Sequence, residues 1–178
     1  MAHALETILD AAALISSEKD GDQYQFLLLG DGARKQELKK RAEKEGLKNV
    51  LFVDSVSKDQ VVRYWSILDV SIIHLKKSEL FTKVIPSKLF ECMAMAVPVL
   101  HGVEGESARI VEDEDVGISF EPENANALVA GLLKMKQDRE LFARLKNNGP
   151  IAAAKYDRSV LANDMLEILE RIHLKNTN

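Results

Sequence analysis

Lys88 and Glu91 are the residues whose types and spacing best suit chemistry. They lie within Pro86-Ser87-Lys88-Leu89-Phe90-Glu91-Cys92-Met93-Ala94-Met95-Ala96-Val97-Pro98-Val99-Leu100. Three residues apart, they share one face of a helix. Leu89, Phe90, Met93 and Ala94 lie around the other side, where they can bury. Pro86 suits the first helical turn, because its missing N–H costs nothing there. Pro98 disfavours helix in the residue before it, so the helix stops and Val97 to His101 reads as a strand. A helix start that presents an ammonium and a carboxylate is a candidate site for an anion and for sugar hydroxyls. An ionised carboxylate accepts two hydrogen bonds from a vicinal diol, and an ammonium pairs with a diphosphate. Without a ligand, the same two side chains would form a solvated ion pair of little energetic consequence.

Other residues carry weaker indications. Gly30-Asp31-Gly32 follows an apolar run. Glycine lets backbone approach a ligand closely, although a strand-to-helix turn also needs it for its own geometry. His74 and His101 each end an apolar run, where a lone His is more often a structural hydrogen-bonding group than a catalyst. Cys92 reads as buried packing. No spacing of His, Cys or carboxylates indicates a metal site. Arg34, Lys35, Lys39, Lys40, Arg41 and Lys44 are interleaved with Glu37, Glu43 and Glu45 and read as a solvated helix face. Lys76, Lys77, Glu79 and Lys83 read as loop charges.

The elements that must position these residues alternate along the chain. Leu5, Ile8, Leu9, Ala12 and Ile15 have helical spacing. Tyr24 to Leu29 reads as a buried strand, and Ala33 to Glu45 as a polar helix ended by Gly46. Val50 to Val53 is a second strand. Ser57 suits the cap of a helix through Trp65 or Ile67. Val70 to Leu75, Val97 to His101 and Gly117 to Phe120 are further strands, with a short helix from Glu106 to Val111 between the last two. Three helices close the chain: Ala125 to Lys136, Arg139 to Lys146 and Ser159 to Ile172. Short apolar strands separated by helices predict an α/β fold, a doubly wound parallel sheet covered on both faces. Such sheets bind ligands at the carboxyl ends of their strands, where Gly30, Asp54, His74 and Gly102 fall.

Composition bounds the alternatives. The 178 residues suffice for one domain with a sizeable core, and 46% hydrophobic with 29% charged residues is ordinary for a globular chain. The formal net charge of -4 argues against a nucleic-acid partner. A single cysteine excludes an internal disulfide framework and fits a reducing, cytoplasmic compartment. No apolar run is long enough to span a membrane.

The Pro86 segment closely resembles the donor-binding helix of the family 4 retaining glycosyltransferases, which have the GT-B fold. The likeness is best to a bacterial subgroup that builds surface polysaccharides, similar to enzymes that transfer fucosamine or N-acetylhexosamine. Its pattern, Val-Ile-Pro-Ser-Lys-x-Phe-Glu-x-Met-Ala-Met-x-x-Pro, stands here as Val84 to Pro98. Gly30-Asp31-Gly32, Leu68-Asp69-Val70, Gly102-Val103-Glu104-Gly105-Glu106 and Pro122-Glu123-Asn124 agree in order and spacing.

The resemblance implies a Rossmann-like donor domain over residues 1–178, the C-terminal half of a two-domain enzyme. It implies that Glu91 takes the ribose hydroxyls of a nucleotide sugar, most simply a UDP-sugar. Lys88, with Ser87, Pro86 and the loop-to-helix backbone, would hold the diphosphate and stabilise it as it leaves. Gly30, Asp31 and Gly32 would line the nucleotide crevice. Val56 would flank the base, although Asp54 replaces the usual glycine beside it. Lys83 stands where many members carry a glutamate near the transferred sugar, so that role changes here. No cofactor and no metal is implied beyond the donor. The acceptor, a glycan or lipid-linked sugar, would be held by the other domain, at the inner face of a membrane.

Relative to that family, the chain starts at or inside the first helix of the domain. The preceding strand and glycine-rich turn would be central to the sheet, so two unpaired strand edges are expected, with self-association through them. The helix around 159–178 would pack toward the other domain, leaving part of its Leu161, Met165, Ile168 and Ile172 stripe exposed. Two alternative readings are a non-catalytic doubly wound binding or signalling module and a sugar-nucleotide epimerase-related domain.

Overall fold

The computed structural model describes residues 3–176. In chain order the elements are α1 (Leu5–Ser16), β1 (Phe26–Leu29), α2 (Lys35–Lys44), β2 (Val50–Val53), α3 (Lys58–Trp65), β3 (Ser71–His74) and α4 (Lys88–Ala94). They continue with β4 (Val99–Gly102), α5 (Glu106–Asp113), β5 (Gly117–Ser119), α6 (Ala125–Gln137), α7 (Arg139–Lys155) and α8 (Arg158–Asn176). A 3-10 turn, Glu79–Lys83, precedes α4.

All strand pairing is parallel. Phe26 lies opposite Val50 and Leu29 opposite Val53. Ser71 lies opposite Val99, which in turn lies opposite Gly117. Pairing nevertheless stops between β1 and β3, so β1–β2 form one sheet and β3–β4–β5 another. The doubly wound α/β architecture is present, and the pairing puts the two unpaired edges that the resemblance implies on β1 and β3.

Successive residues of a strand point to opposite faces, and β4 shows the consequence. Leu100 joins a core with Ile8, Phe26, Leu128 and Leu145. Val99 joins another with Leu89, Met93, Val111 and Val116. All four β4 residues are buried, as a strand covered by helices on both sides requires. Leu38 and Ala42 of α2 close a third cluster over Leu9 of α1.

Helix α7 departs from the sequence reading. It was expected to stop at Lys146 and instead runs to Lys155 with Pro150 inside. Proline leaves one carbonyl of the preceding turn without its partner, at about 3 kcal/mol. Packing offsets this: Ala152 is fully buried, and Gly149 sits so close to α4 that a Cβ would lie 2.8 Å from the Met93 carbonyl oxygen. Helix α8 contributes little to the cores. Leu161, Met165, Leu166, Ile168, Leu169 and Ile172 are all exposed on it.

Candidate functional site

Helix α4 is set by its apolar face. Leu89, Cys92 and Met93 are buried, which turns Ser87, Lys88 and Glu91 outward. Its first turn begins at Pro86, whose carbonyl accepts from the Leu89 N–H at 2.9 Å, and the Ser87 carbonyl accepts from the Phe90 N–H at 3.1 Å. It ends where Ala96 adopts φ 52 ahead of Val97 and Pro98. Neither the Lys88 nor the Glu91 side chain makes a hydrogen bond or ion pair with any described residue. The solvated pair that the spacing allows is not formed, and both charges are free for a ligand. Burial pushes the Cys92 thiol up to about 11, consistent with packing.

A cavity of about 970 Å³ runs between β1 and β3. At the carboxyl ends of these strands its lining includes Gly30, Asp31, Gly32, Pro86 and Lys88. Those five expected site residues are therefore brought together. Ser87, Val56, Lys83 and Glu91 lie outside that lining. Glu91 is one helical turn beyond Lys88 on the exposed side, Val56 is half-buried ahead of α3, and Lys83 is exposed at the end of the 3-10 turn.

The glycine loop is held by a residue that the sequence reading set aside. Lys35, in the first turn of α2, donates to the Gly30 carbonyl at 2.6 Å, the Val53 carbonyl at 3.1 Å and the Asp54 carboxylate at 2.6 Å. Its side chain is only 10% exposed. The solvated-face reading thus fails for Lys35, because its side chain runs back across the ends of β1 and β2. Arg34 is also engaged, by Glu37 at 2.7 Å and by Glu6. Gly30 has φ 138, a conformation that side chains resist. Asp31 accepts from the Gly32 N–H at 2.7 Å and so shapes its own turn.

Both histidines are structural hydrogen-bonding groups. His74 Nε2 accepts from the Glu123 N–H at 2.8 Å, and burial holds its pKa below the ordinary value. His101 is fully buried with Nε2 2.9 Å from Ser107 Oγ, and burial lowers its pKa to about 4. Lys77 is no idle loop charge either. Its N–H donates to Glu123 at 2.8 Å and its ammonium to Glu121 at 2.9 Å, joining the loops that follow β3 and β5. Contacts across 44 and 46 residues leave no mark in sequence spacing. Among the described residues no group of three His, Cys, Asp or Glu side chains is arranged to hold a metal ion.

The family model described as "Glycosyl transferases group 1" matches residues 3–151. The chain belongs to the group 1 glycosyl transferases. Solved structures with the same fold include a sucrose-phosphate synthase from Thermosynechococcus elongatus. That protein is 21% identical at a TM-score of 0.72, covering 97% of this chain and 43% of the other. Another is HepE from Anabaena in complex with UDP, 19% identical at a TM-score of 0.78, covering 95% of this chain and 45% of the other. A third is the C-terminal domain of a group 1 protein, LpcC, from Francisella tularensis. It is 19% identical at a TM-score of 0.71, covering 88% of this chain and 80% of the other. No curated protein sequence matches the chain. This glycosyl transferase chain spans less than half the length of the first two, and its fold is that of a Rossmann-like GT-B domain, consistent with the C-terminal one. No helix among the described residues is long and apolar enough to cross a membrane.

Proposed function

We propose that this chain is the donor-binding part of a retaining glycosyl transferase that uses a UDP-sugar to build a surface polysaccharide or lipopolysaccharide. The observation that carries the reading is the pair of unengaged charges on α4. Lys88 borders the cavity together with the Gly30–Gly32 loop, and Glu91 follows one turn later. A neighbour of the same fold was solved with UDP-glucose, which supports a uridine donor here.

In this reading the Glu91 carboxylate accepts from both ribose hydroxyls and the Lys88 ammonium meets the diphosphate. Bond cleavage at the anomeric carbon leaves negative charge on the departing diphosphate. A fixed ammonium stabilises that charge more than it stabilises the bound donor, which lowers the barrier. Ser87 adds a polar contact beside Lys88. Gly30 lets backbone approach the donor. Val56 and Lys83, away from the cavity, serve the base and the sugar only as the outer rim of the site. The reading calls for no cofactor beyond the donor. Acceptor binding belongs to a second lobe, so the 178 residues alone bind donor weakly and transfer nothing.

Calorimetric titration with UDP, GDP and uridine tests this. UDP is expected to bind most tightly, with Glu91→Ala weakening it. Indifference to all three nucleotides would instead favour a binding module of another class.

A further inference from the structure

β2 pairs with β1 on one side only, and its other side is an outer edge. Free edges are kept from pairing with other chains by prolines, charges and bulges. β2 has no proline and no charge: it reads Val50-Leu51-Phe52-Val53. The bonds to β1 define which peptide groups are free. The Phe26 N–H donates to the Asn49 carbonyl at 2.8 Å and the Gly30 N–H to the Val53 carbonyl at 3.0 Å. Hydrogen-bonding direction alternates along a strand, so Asn49, Leu51 and Val53 turn their peptide groups toward β1. Val50 and Phe52 therefore turn theirs outward.

The side chains alternate as well. Val50 and Phe52 pack against the cluster of Leu9, Leu38 and Ala42. Leu51 lies on the other face and is 50% exposed. Opposite charges stand at the two ends, Lys48 before β2 and Asp54 directly after it. The Lys48 side chain makes no hydrogen bond or ion pair with any described residue. Lys35 holds one oxygen of Asp54, yet that side chain is 91% exposed, which leaves the other oxygen for a second cation.

A second copy of the same strand answers each of these features. Laid antiparallel with Leu51 against Leu51, it brings Val50 opposite Phe52 and Lys48 opposite Asp54, twice over. The backbone requires this kind of register, because Val50 and Phe52 carry the outward peptide groups and opposed residues of an antiparallel pair exchange both bonds. A slip of one residue would set outward groups against groups already used by β1. A slip of two would set Lys48 against Phe52 or Asp54 against Val50. In the matched register the two leucines cover each other at the axis, and each end gains an ion pair.

We infer that the outer edge of β2 is a self-complementary interface at which two copies of this chain join antiparallel, with Leu51 on the two-fold axis and Lys48 paired with Asp54 across it. Such an isologous contact closes at the dimer. The inference stands independently of the donor reading, because neither Lys88 nor Glu91 takes part.

Sedimentation equilibrium from micromolar to near-millimolar concentration tests it by charge exchange. The unaltered chain is expected to reach the dimer mass, and added salt to weaken the association. Lys48→Glu alone and Asp54→Lys alone each set like charges together at both ends, and each should weaken it roughly tenfold or more. An equimolar mixture of the two variants restores opposite pairs at both ends and should dimerise again. If Asp54→Lys does not fold, Leu51→Lys, at an exposed position, sets two ammonium groups together on the axis and should leave a monomer. Amide exchange by NMR locates the contact: Val50 and Phe52 should slow as concentration rises, while Leu51 and Val53 are protected throughout. A monomer at the highest concentration would overturn the inference. So would a dimer that ignores Lys48→Glu and Leu51→Lys, or one whose concentration-dependent protection falls outside Val50 and Phe52.

Discussion

Lys35 and Asp54 form an ion pair at 2.6 Å that ties the end of β1 to the end of β2. The same ammonium binds the Gly30 and Val53 carbonyls, so one side chain fixes the loop at the cavity mouth. The two partners differ in exposure, 10% for Lys35 and 91% for Asp54. Lys35→Met should therefore cost about 1–3 kcal/mol, from largely buried hydrogen bonds left without their charged donor. Asp54→Asn should change stability little, because water screens an exposed partner. Urea denaturation of both variants checks the asymmetry.

Glu91 is exposed, and its side chain makes no hydrogen bond or ion pair with any described residue. Glu91→Gln should leave the unfolding temperature unchanged and weaken UDP by tenfold or more, as expected for lost hydrogen bonds to a charged group. A matching loss for uridine, which keeps both ribose hydroxyls, assigns the residue to the ribose. A loss confined to UDP would place it at the phosphates.

Lys88→Met should show the reverse preference. Affinity for UDP falls, affinity for uridine holds, and the salt dependence of UDP binding flattens as one ammonium–phosphate contact disappears. Isothermal titration at two ionic strengths reads all three.

His101 makes stability pH-dependent. Burial lowers its pKa in the folded chain to about 4, below the ordinary 6.5. Between those values the unfolded chain binds the extra proton, so stability present above pH 6.5 is lost as pH falls toward 4. The size is on the order of 3 kcal/mol, and the lowered pKa of His74 acts in the same direction. Denaturation from pH 7 to pH 4 should show this slope, and it should shrink when His101→Leu is combined with Ser107→Ala. The ring resonances of His101 should stay those of a neutral imidazole at pH 5.5.

The order and types of the strands were legible because short apolar runs bounded by glycine and proline have few other solutions. The buried face of α4 followed from Leu89 and Met93, and the outward pair from Lys88 and Glu91. What escaped the sequence depended on distant partners. Lys35 looked like one of six interleaved cations until the end of β2 brought Asp54 to it. Lys77 and Glu123 became a loop clasp only through the sheet. The run of α7 through Pro150 escaped because local proline chemistry was outweighed by Gly149 and Ala152 packing on α4. Two unpaired edges are what the family resemblance implies, and only the pairing shows that they belong to β1 and β3.

The central claim is that free charges on α4 and the Gly30 loop together receive a nucleoside diphosphate. Mapping NMR shift changes across the backbone of the 178-residue chain at millimolar UDP tests it most directly. The account predicts the largest changes at Gly30, Asp31, Gly32, Lys88 and Glu91, abolished at Lys88 and Glu91 positions in the double Lys88→Met, Glu91→Gln variant. Changes centred elsewhere, or saturation by UDP that the double variant leaves intact, would contradict it.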